Sequence, residues 1–402
     1  MESTFTVGSY ITSIDFERDT MPTIKSFPNF FSQTNPHILQ NIKTITEYLT
    51  QNYNAKCYVV GGAVRDRVLE HECKDYDIEC FGITIDDFES AMDHLGAQGV
   101  GKSFFVYKYH DLDISLPRTE QKVSKGHRGF EVSLATEEKE ASRRRDFTIN
   151  ALMYDIQNEQ ILDFWDGLKD LEHKILRVVD ERSFVEDSLR VLRAMQFAAR
   201  FGFKVDEESC KLCQSISLDD LPKERVFKEF EKMFTGRYLH YGLYYLLALG
   251  IGQQLFNERM EKRSFIALSR ILQKSQKNFV DKLRPYYFLF ICKAYFSLDI
   301  KEILDRLGAP TSYYKKVEAS PLPTNVTISF IAHLSLKEGI IEYVGNYHTD
   351  VIAVAKKLDV WDKPFDRGVT PLELMDEGFS GKALGDELHR RTEEKIMILK
   401  EK

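Results

Sequence analysis

The sequence contains no apolar run long enough to span a membrane, and it has few cysteines. No stretch of its 402 residues approaches the ~18 consecutive apolar residues that a membrane-spanning helix needs. The segment from Met1 to Pro36 carries several acidic residues and has no continuous apolar core, so we expect no secretory signal peptide. Six cysteines are too few for a disulfide framework in a chain of this length, and they suit a reducing compartment. We therefore predict a cytoplasmic protein that does not associate with membranes.

The sequence also lacks an excess of positive charge. Its 55 lysines and arginines are outnumbered by 62 aspartates and glutamates, for a formal net charge of −7 at pH 7. Binding to nucleic acid depends on local charge and on phosphate contacts, so this deficit does not exclude a nucleic-acid enzyme. Four basic clusters are candidate phosphate contacts, with a solvated face as the ordinary alternative for each: Arg143-Arg144-Arg145, Lys223 with Arg225, Lys262-Arg263 and His389-Arg390-Arg391.

The residues that are present indicate a mixed α/β segment followed by helices. Asn35 and Pro36 have the side chains of a helix N-cap and of a first helical position. Lys56 to Val60 has the composition of a short buried strand, and Ala63 to Leu69 has that of a helix. From Pro222 onward the apolar spacing is helical. With 43% hydrophobic residues, a chain of this length can bury the cores of two to four domains.

The first candidate site lies between residues 59 and 79. Gly61 and Gly62 allow a tight turn and a close approach of a ligand to the backbone. The helix that begins there presents unpaired N–H groups to phosphate oxygens, and Arg65 adds a full positive charge. Asp75 and Asp77 lie two apart in a predicted strand, so both carboxylates face the same way and can hold a divalent ion such as Mg²⁺. An Asp-x-Asp pair on a solvated strand face is the alternative.

Two further patterns follow in the same part of the chain. Asp113, near the start of a predicted strand, is a candidate third carboxylate that would complete the metal site and accept a proton from an attacking hydroxyl. A solvated Asp near a turn is the alternative. Residues Gly96 to Ser103 match the P-loop pattern G-x-x-x-x-G-K-S. We predict a helix-to-strand connection instead, because the segment follows a helix capped by Thr84 and precedes a strand, the reverse of a working P-loop.

Five short motifs occur in order between residues 57 and 236. The first is the stretch from Gly61 to Asp77, and the other four are as follows: Arg144-Arg145-Asp146-Phe147-Thr148-x-Asn150-Ala151, Asp163-Phe164-x-Asp166-Gly167-x-x-Asp170-Leu171, Glu186-Asp187-x-x-Arg190-x-x-Arg193, and Lys223-Glu224-Arg225-Val226 with Glu229. In this order they resemble the motifs of the class II tRNA nucleotidyltransferases, the CCA-adding enzymes, and of their poly(A) polymerase relatives. One motif alone is a weak signal, whereas five in the family order are a strong one.

The resemblance implies metal-assisted nucleotidyl transfer. It assigns two Mg²⁺ ions to Asp75 and Asp77, and it gives Asp113 the activation of the RNA 3′-hydroxyl for attack on the α-phosphate, with pyrophosphate leaving. It assigns the triphosphate to the glycine pair and to Arg65.

The resemblance also implies a group of residues that selects the nucleotide. Arg145 and Asp146 would reach the ribose 2′-hydroxyl, because a guanidinium donates and a carboxylate accepts. Asp187 and Arg190 are three apart on a long helix predicted to run from Asp180 or Ser183 to about residue 201, and they would read the amine and ring nitrogen that C and A share.

One position just after the fourth motif departs from the family pattern. By the resemblance Arg193 is a nucleotide-binding residue, and the family usually has a further Arg three residues later, near the triphosphate. This chain has Gln196 there, which keeps hydrogen-bond donors but loses a charge that would face phosphate.

The resemblance predicts an α+β fold, a small mixed-sheet nucleotidyltransferase head followed by an all-α neck, body and tail. We place an N-terminal extension and helix at 1–54, the head at 55–165, the neck with the nucleotide-selecting helix at 166–236, and the RNA-binding body and tail at 237–402. The predicted activity is addition of C, C and A to the tRNA 3′ end from CTP and ATP. The alternatives are an enzyme that adds only CC or only A, a poly(A) polymerase, or a catalytically inactive RNA-binding module. Nothing in the sequence indicates the oligomeric state.

Overall fold

A computed structural model describes residues 21–73, 75–101, 105–122, 130–256, 261–295 and 299–400. The chain forms two compact units that interleave along the sequence. The first unit comprises Met1–Thr119, Val132–Arg143 and Thr148–Lys169, and the second comprises Glu120–Glu131, Arg144–Phe147 and Asp170–Lys402. The boundaries given above for head, neck, body and tail remain a prediction.

The strands of the described residues are short and lie mostly in the first half of the chain. They are β1 (Thr23–Ser26), β2 (Lys56–Val60), β3 (Tyr76–Phe81), β4 (Gln98–Gly101), β5 (Val106–Tyr109), β6 (Leu112–Ser115), β7 (Arg118–Lys122), β8 (Phe130–Leu134), β9 (Met153–Asp155), β10 (Gln160–Asp163), β11 (Ile175–Leu176) and β12 (Lys204–Val205).

The first unit is built on an eight-stranded sheet with the strand order β1-β10-β9-β2-β3-β6-β5-β4. Neighbouring strands run antiparallel except for β3 and β6, which run parallel. Strand β2 lies inside this sheet, and its residues 57–60 are all buried. An apolar run without alternation is what a strand covered on both faces requires, which explains the composition of β2.

Helices make up most of the second unit. The helices of the described residues are α1 (Pro36–Tyr53), α2 (Gly62–Val68), α3 (Ile85–His94), α4 (Glu138–Arg143), α5 (Gly167–His173), α6 (Glu181–Phe184), α7 (Leu189–Phe201), α8 (Glu207–Ser215), α9 (Lys223–Phe234), α10 (Leu239–Ala248), α11 (Ile251–Phe256), α12 (Lys262–Ser275), α13 (Arg284–Tyr295), α14 (Ile300–Leu307), α15 (Thr311–Tyr313), α16 (Ile328–Leu334), α17 (Thr349–Lys357), α18 (Pro371–Asp376) and α19 (Gly381–Lys400). Within these ranges, no helix is both long enough and apolar enough to cross a membrane.

Helix α7 packs closely against α9 and α10 in the second unit. A Cβ atom at Gly236 would lie 2.5 Å from the carbonyl oxygen of Ala199, and one at Gly242 would lie 2.9 Å from the Ala199 Cβ. Because neither distance leaves room for a methyl group, both glycines are required for this close packing. The packing holds the helix that carries Arg190, Arg193 and Gln196 in place.

Several predicted elements occur where the sequence indicated them. Asn35 caps α1, its side chain accepting a hydrogen bond from the His37 backbone N–H at 2.9 Å, and Pro36 is the first helical residue. Thr84 caps α3 in the same way, and Pro222 directly precedes α9.

Two predictions about secondary structure were wrong. The single long helix expected from residue 180 or 183 to 201 is two helices, α6 and α7, separated by a turn at 185–188. The polar residues of this turn compete for the backbone, since the Asp187 side chain accepts from the Leu189 N–H at 3.1 Å. The P-loop-like segment is not a plain connection either, because Gln98–Gly101 forms strand β4 and pairs with β5. Lys102 and Ser103 of that pattern lie outside the described residues.

The helical region also contains a short pair of parallel strands that the sequence did not indicate. Strands β11 and β12 pair over Ile175–Lys204 and Leu176–Val205. Two residues are too few to produce an alternating pattern in the sequence, so the pairing was not detectable.

Candidate active site

The turn between β2 and α2 has a backbone that only glycine adopts easily. Gly61 has φ 71° and ψ −127°, and its N–H donates to the Leu152 carbonyl oxygen at 3.2 Å. A side chain at this position would clash with the neighbouring peptide groups, which explains the glycine. The chain therefore passes from a buried strand directly into a helix, as the sequence predicted.

Arg65 is buried within the first unit and its guanidinium is held by two neighbours. Its Nη1 donates to Asn150 Oδ1 at 2.6 Å, and its Nε donates to Asp66 Oδ1 at 2.8 Å. A Cβ at Gly62 would lie 3.4 Å from Arg65 Nη2, so the guanidinium packs against this glycine. Sequence reasoning missed the pairing with Asn150, although both residues belong to the quoted motifs. Contact between Arg65 and a triphosphate remains a prediction.

The structure brings Asp77 and Asp113 onto adjacent strands. They are directly paired Cα partners on the parallel strands β3 and β6, so their side chains leave the same face of the sheet. Asp75 lies just before β3 and two residues from Asp77, on that same face. All three residues are exposed. The sheet therefore brings Asp113 beside Asp77, as a third carboxylate of the same site requires.

The glycine turn lies at the same edge of the sheet as these carboxylates. Val60, the residue before Gly61, is the antiparallel partner of Asp77. Lys108 on β5 approaches from the other side, with its Nζ 3.9 Å from Asp113 Oδ1. The arrangement joins a turn that can admit phosphate, a lysine and carboxylates on one edge.

The donor chemistry of this edge suits a hard divalent cation, because carboxylate oxygens are the ligands that such ions prefer. In the part of the chain that the structure describes, no group of three or more His, Cys, Asp or Glu side chains is close enough to hold a metal ion by itself. Mg²⁺ usually takes only one or two carboxylates and completes its shell with water and substrate phosphates. Asp75 and Asp77 therefore fit such an ion by chemistry and by the face they share.

In the second unit, Asp146 and Arg193 form an ion pair. Arg193 Nε donates to Asp146 Oδ2 at 2.5 Å, and Asp146 Oδ1 accepts from the Phe147 N–H at 2.8 Å. The Asp146 side chain is only 5% exposed, whereas that of Arg193 is 32% exposed. Arg145, the neighbour of Asp146, is half-buried. The contact of Arg145 and Asp146 with a ribose remains a prediction.

Arg190 is held by backbone carbonyls near the start of α7. Its Nη2 donates to the Arg144 carbonyl oxygen at 2.6 Å, and its Nη1 donates to the Ser183 carbonyl oxygen at 2.7 Å. Burial lowers the pKa of the Arg190 guanidinium below its usual value, while Asp146 and Asp187 act in the opposite direction. The side chain is thus fixed in one orientation before any ligand binds.

Asp187 does not lie on the helix that was predicted to carry it. It occupies the turn before α7, and its Oδ2 accepts from Arg225 Nη2 at 3.1 Å. Among the residues of the fifth motif, Arg225 is the one that contacts Asp187 in the described structure. Lys223 donates to the Asp305 carbonyl oxygen and Glu229 accepts from Lys232.

Gln196 is fully buried in the middle of α7. Its Oε1 accepts from Arg200 Nη1 at 3.4 Å, and its Nε2 has no hydrogen-bond partner among the described residues. A buried amide donor without a partner costs roughly 1 to 3 kcal/mol. Nothing in the structure explains why the chain retains it.

Two family models match parts of this chain. One, described as "Poly A polymerase head domain", matches residues 57–177. The other, described as "Probable RNA and SrmB- binding site of polymerase A", matches residues 202–262.

Curated relatives provide the comparison that decides the family. The Multifunctional CCA protein of Stenotrophomonas maltophilia K279a is 41% identical over 188 residues, which cover 44% of this chain and 45% of the relative. The match thus spans about half the length of that relative. The Multifunctional CCA protein of Pasteurella multocida Pm70 is 30% identical over 410 residues, which cover 84% of this chain and 95% of the relative. The chain therefore belongs to the family of these CCA proteins.

Solved structures of CCA-adding enzymes share the fold. The Thermotoga maritima enzyme, solved with tRNA, has a TM-score of 0.66 at 22% identity and covers 94% of this chain and 95% of its own. The Bacillus stearothermophilus enzyme, solved with CTP, has a TM-score of 0.65 at 20% identity and covers 90% of this chain and 94% of its own. At such identities the likeness concerns the fold, and it confirms the predicted mixed-sheet head followed by helices.

Proposed function

We propose that the chain adds C, C and A to the 3′ end of tRNA, using CTP and ATP without a nucleic-acid template. The observation that carries the proposal is the edge of the sheet where Asp77 pairs with Asp113 on one side and with Val60, next to the Gly61 turn, on the other. Phosphate-binding backbone and carboxylates at one edge are what nucleotidyl transfer requires. Family membership and the names of the relatives support the same reaction.

Asp75 and Asp77 would hold Mg²⁺ at this edge. When bound, Mg²⁺ neutralises phosphate charge and lowers the pKa of a coordinated hydroxyl. Asp113 would accept the proton of the RNA 3′-hydroxyl, whose oxygen then bonds to the α-phosphorus as pyrophosphate leaves. Gly62, the first residue of α2, would offer its backbone N–H to the triphosphate, and Gly61 would provide the turn that brings the ligand close.

Selection of the nucleotide is assigned to the second unit. Asp187 would accept from the exocyclic amine of C or A, and Arg190 would donate to the adjacent ring nitrogen. U and G present a carbonyl oxygen where that amine stands, so the carboxylate would face an acceptor. Arg145 and Asp146 would bind the ribose 2′-hydroxyl, with Arg193 holding Asp146 through their ion pair.

We also infer that the protein works in a reducing, cytoplasmic compartment. All six cysteines are free thiols, even though Cys57 Sγ and Cys80 Sγ lie 3.9 Å apart on paired strands. The hydrogen bond that Cys80 receives from Cys57 and the burial of the thiol raise the pKa of Cys80 well above its usual value, so it stays protonated.

The experiment that tests the function supplies purified protein with tRNAs that end before the tail, after C or after CC, and with each labelled nucleotide in turn. We expect the protein to add two C residues and then one A, after which addition stops. Addition of only one nucleotide type would indicate a partial enzyme, and long A tails would indicate a poly(A) polymerase. No incorporation into any RNA would leave an RNA-binding module.

A further inference from the structure

Helix α12 of the second unit carries basic residues and no acidic ones. Its 14 residues, KRSFIALSRILQKS, include two lysines, two arginines and no Asp or Glu. All four basic side chains are exposed, as is Lys277 just beyond the helix. This concentration of positive charge stands out in a chain whose formal net charge is −7.

Three of these side chains share one face of the helix. Arg270 and Lys274 follow Arg263 by seven and eleven positions, close to two and three turns of 3.6 residues. They therefore project in nearly the same direction and span roughly 16 Å along the axis. Leu268 and Leu272, on the opposite side, are fully buried. The face formed by Arg263, Arg270 and Lys274 is called the α12 basic face below.

Among the residues that the structure describes, none neutralises the α12 basic face. Across the described ranges, none of its three side chains has an ion pair. The nearest acidic residue in sequence, Glu261, is the N-cap residue of the helix and pairs with none of them. Three exposed lysines elsewhere in this unit do pair with a carboxylate four residues away: Lys211 with Glu207, Lys301 with Asp305, and Lys363 with Asp359. Such pairing is the simplest way to neutralise a surface cation, and α12 contains no residue that provides it.

We propose that the α12 basic face binds the phosphate backbone of the tRNA. The inference rests on the proposed function and specifies where the polynucleotide docks. That surface belongs to the second unit, whereas the carboxylates belong to the first. A row of unpaired cations attracts a polyanion, and each phosphate contact releases a counterion on binding. A helix that inserts into a membrane surface does so through its apolar face, whereas Leu268 and Leu272 of α12 are buried in the protein.

The test replaces the three side chains together, as Arg263→Gln, Arg270→Gln and Lys274→Gln. Gln has a helix propensity close to those of Arg and Lys, so α12 should persist, which circular dichroism and a thermal scan check. The matched control is Lys211→Gln, Lys301→Gln and Lys363→Gln, which removes the same charge from side chains that already have partners.

The measurement is the Kd for tRNA at several salt concentrations. We expect the α12 variant to bind at least about tenfold more weakly at low salt, with the slope of log Kd against log salt reduced by roughly two to three, one for each lost phosphate contact. The control variant should keep the wild-type slope. With the dinucleotide CpC as acceptor and ATP as donor, the kcat of the α12 variant should match wild type, because so short an acceptor does not require this face.

Three results would overturn the inference. The first is a salt slope of the α12 variant equal to that of wild type, and the second is an equal loss of tRNA affinity in the control variant. The third is that the wild-type protein binds phosphatidylserine vesicles and the α12 variant does not, while both bind tRNA equally well. The proposed function fails separately, if the wild-type protein adds no nucleotide to any RNA. Binding of tRNA can be measured in that case too, so the two failures are distinguishable.

Discussion

Removing the charge of Arg193 should destabilise the second unit as well as impair the reaction. Asp146 is 5% exposed and its Oδ2 lies 2.5 Å from Arg193 Nε, so Arg193→Gln removes a cation that is hydrogen-bonded to a buried carboxylate. Breaking a fully buried pair costs about 3 to 5 kcal/mol. Because the Arg193 side chain is 32% exposed, water compensates part of this, and we expect a loss of about 2 to 3 kcal/mol. That corresponds to a fall of roughly 4 to 12 °C in the midpoint of thermal unfolding.

The assay is thermal and urea unfolding of four proteins: wild type, Arg193→Gln, Asp146→Asn and the double variant. Asp146→Asn removes the charge that needs compensation, so the double variant should be more stable than the sum of the two single effects predicts. Arg270→Gln is the control, because it removes one exposed arginine without an ion pair in the described chain, and it should change the stability by less than about 0.5 kcal/mol. The Arg193→Gln variant could raise the KM for ATP and yet unfold at the same midpoint as the Arg270→Gln control. In that case the ion pair does not stabilise the unit and the reasoning is wrong.

Four further outcomes are expected. Asp77→Ala should abolish incorporation while leaving the unfolding midpoint near that of wild type, because Asp77 is exposed at the sheet edge; residual activity within about tenfold of wild type would show that the metal site lies elsewhere. Arg145→Ala should raise the KM for ribonucleotides and reduce their preference over deoxynucleotides, and an unchanged sugar preference would remove the ribose assignment. Asp187→Ala should lose about tenfold or more of the preference for CTP and ATP over UTP and GTP, since a mispaired charged contact costs roughly 1 to 3 kcal/mol; rejection of UTP and GTP at the wild-type level would contradict it. Burial raises the pKa of the Cys213 and Cys292 thiols to about 12, so the thiolate is scarce at pH 8 and neither should be alkylated until urea unfolds the chain; rapid labelling of the native protein would show that these thiols are not buried.

The sequence was sufficient for the local elements and for the family. Caps such as Asn35 and Thr84, the glycine turn after β2 and the spacing of Asp75 and Asp77 depend on interactions within a few residues, so local chemistry specifies them. The five motifs in order were enough to predict a mixed-sheet head and a helical remainder, which the relatives and the fold confirm.

Only the tertiary structure decided which of these residues meet. Asp113 becomes the neighbour of Asp77 through parallel pairing of strands more than thirty residues apart, and Arg65 pairs with Asn150 across 85 positions. The break between α6 and α7 depends on the side chain of Asp187, which accepts from the Leu189 N–H and also receives Arg225 from another helix. Such contacts depend on how the chain returns on itself, and a pattern of periodicity and spacing contains no information about that return.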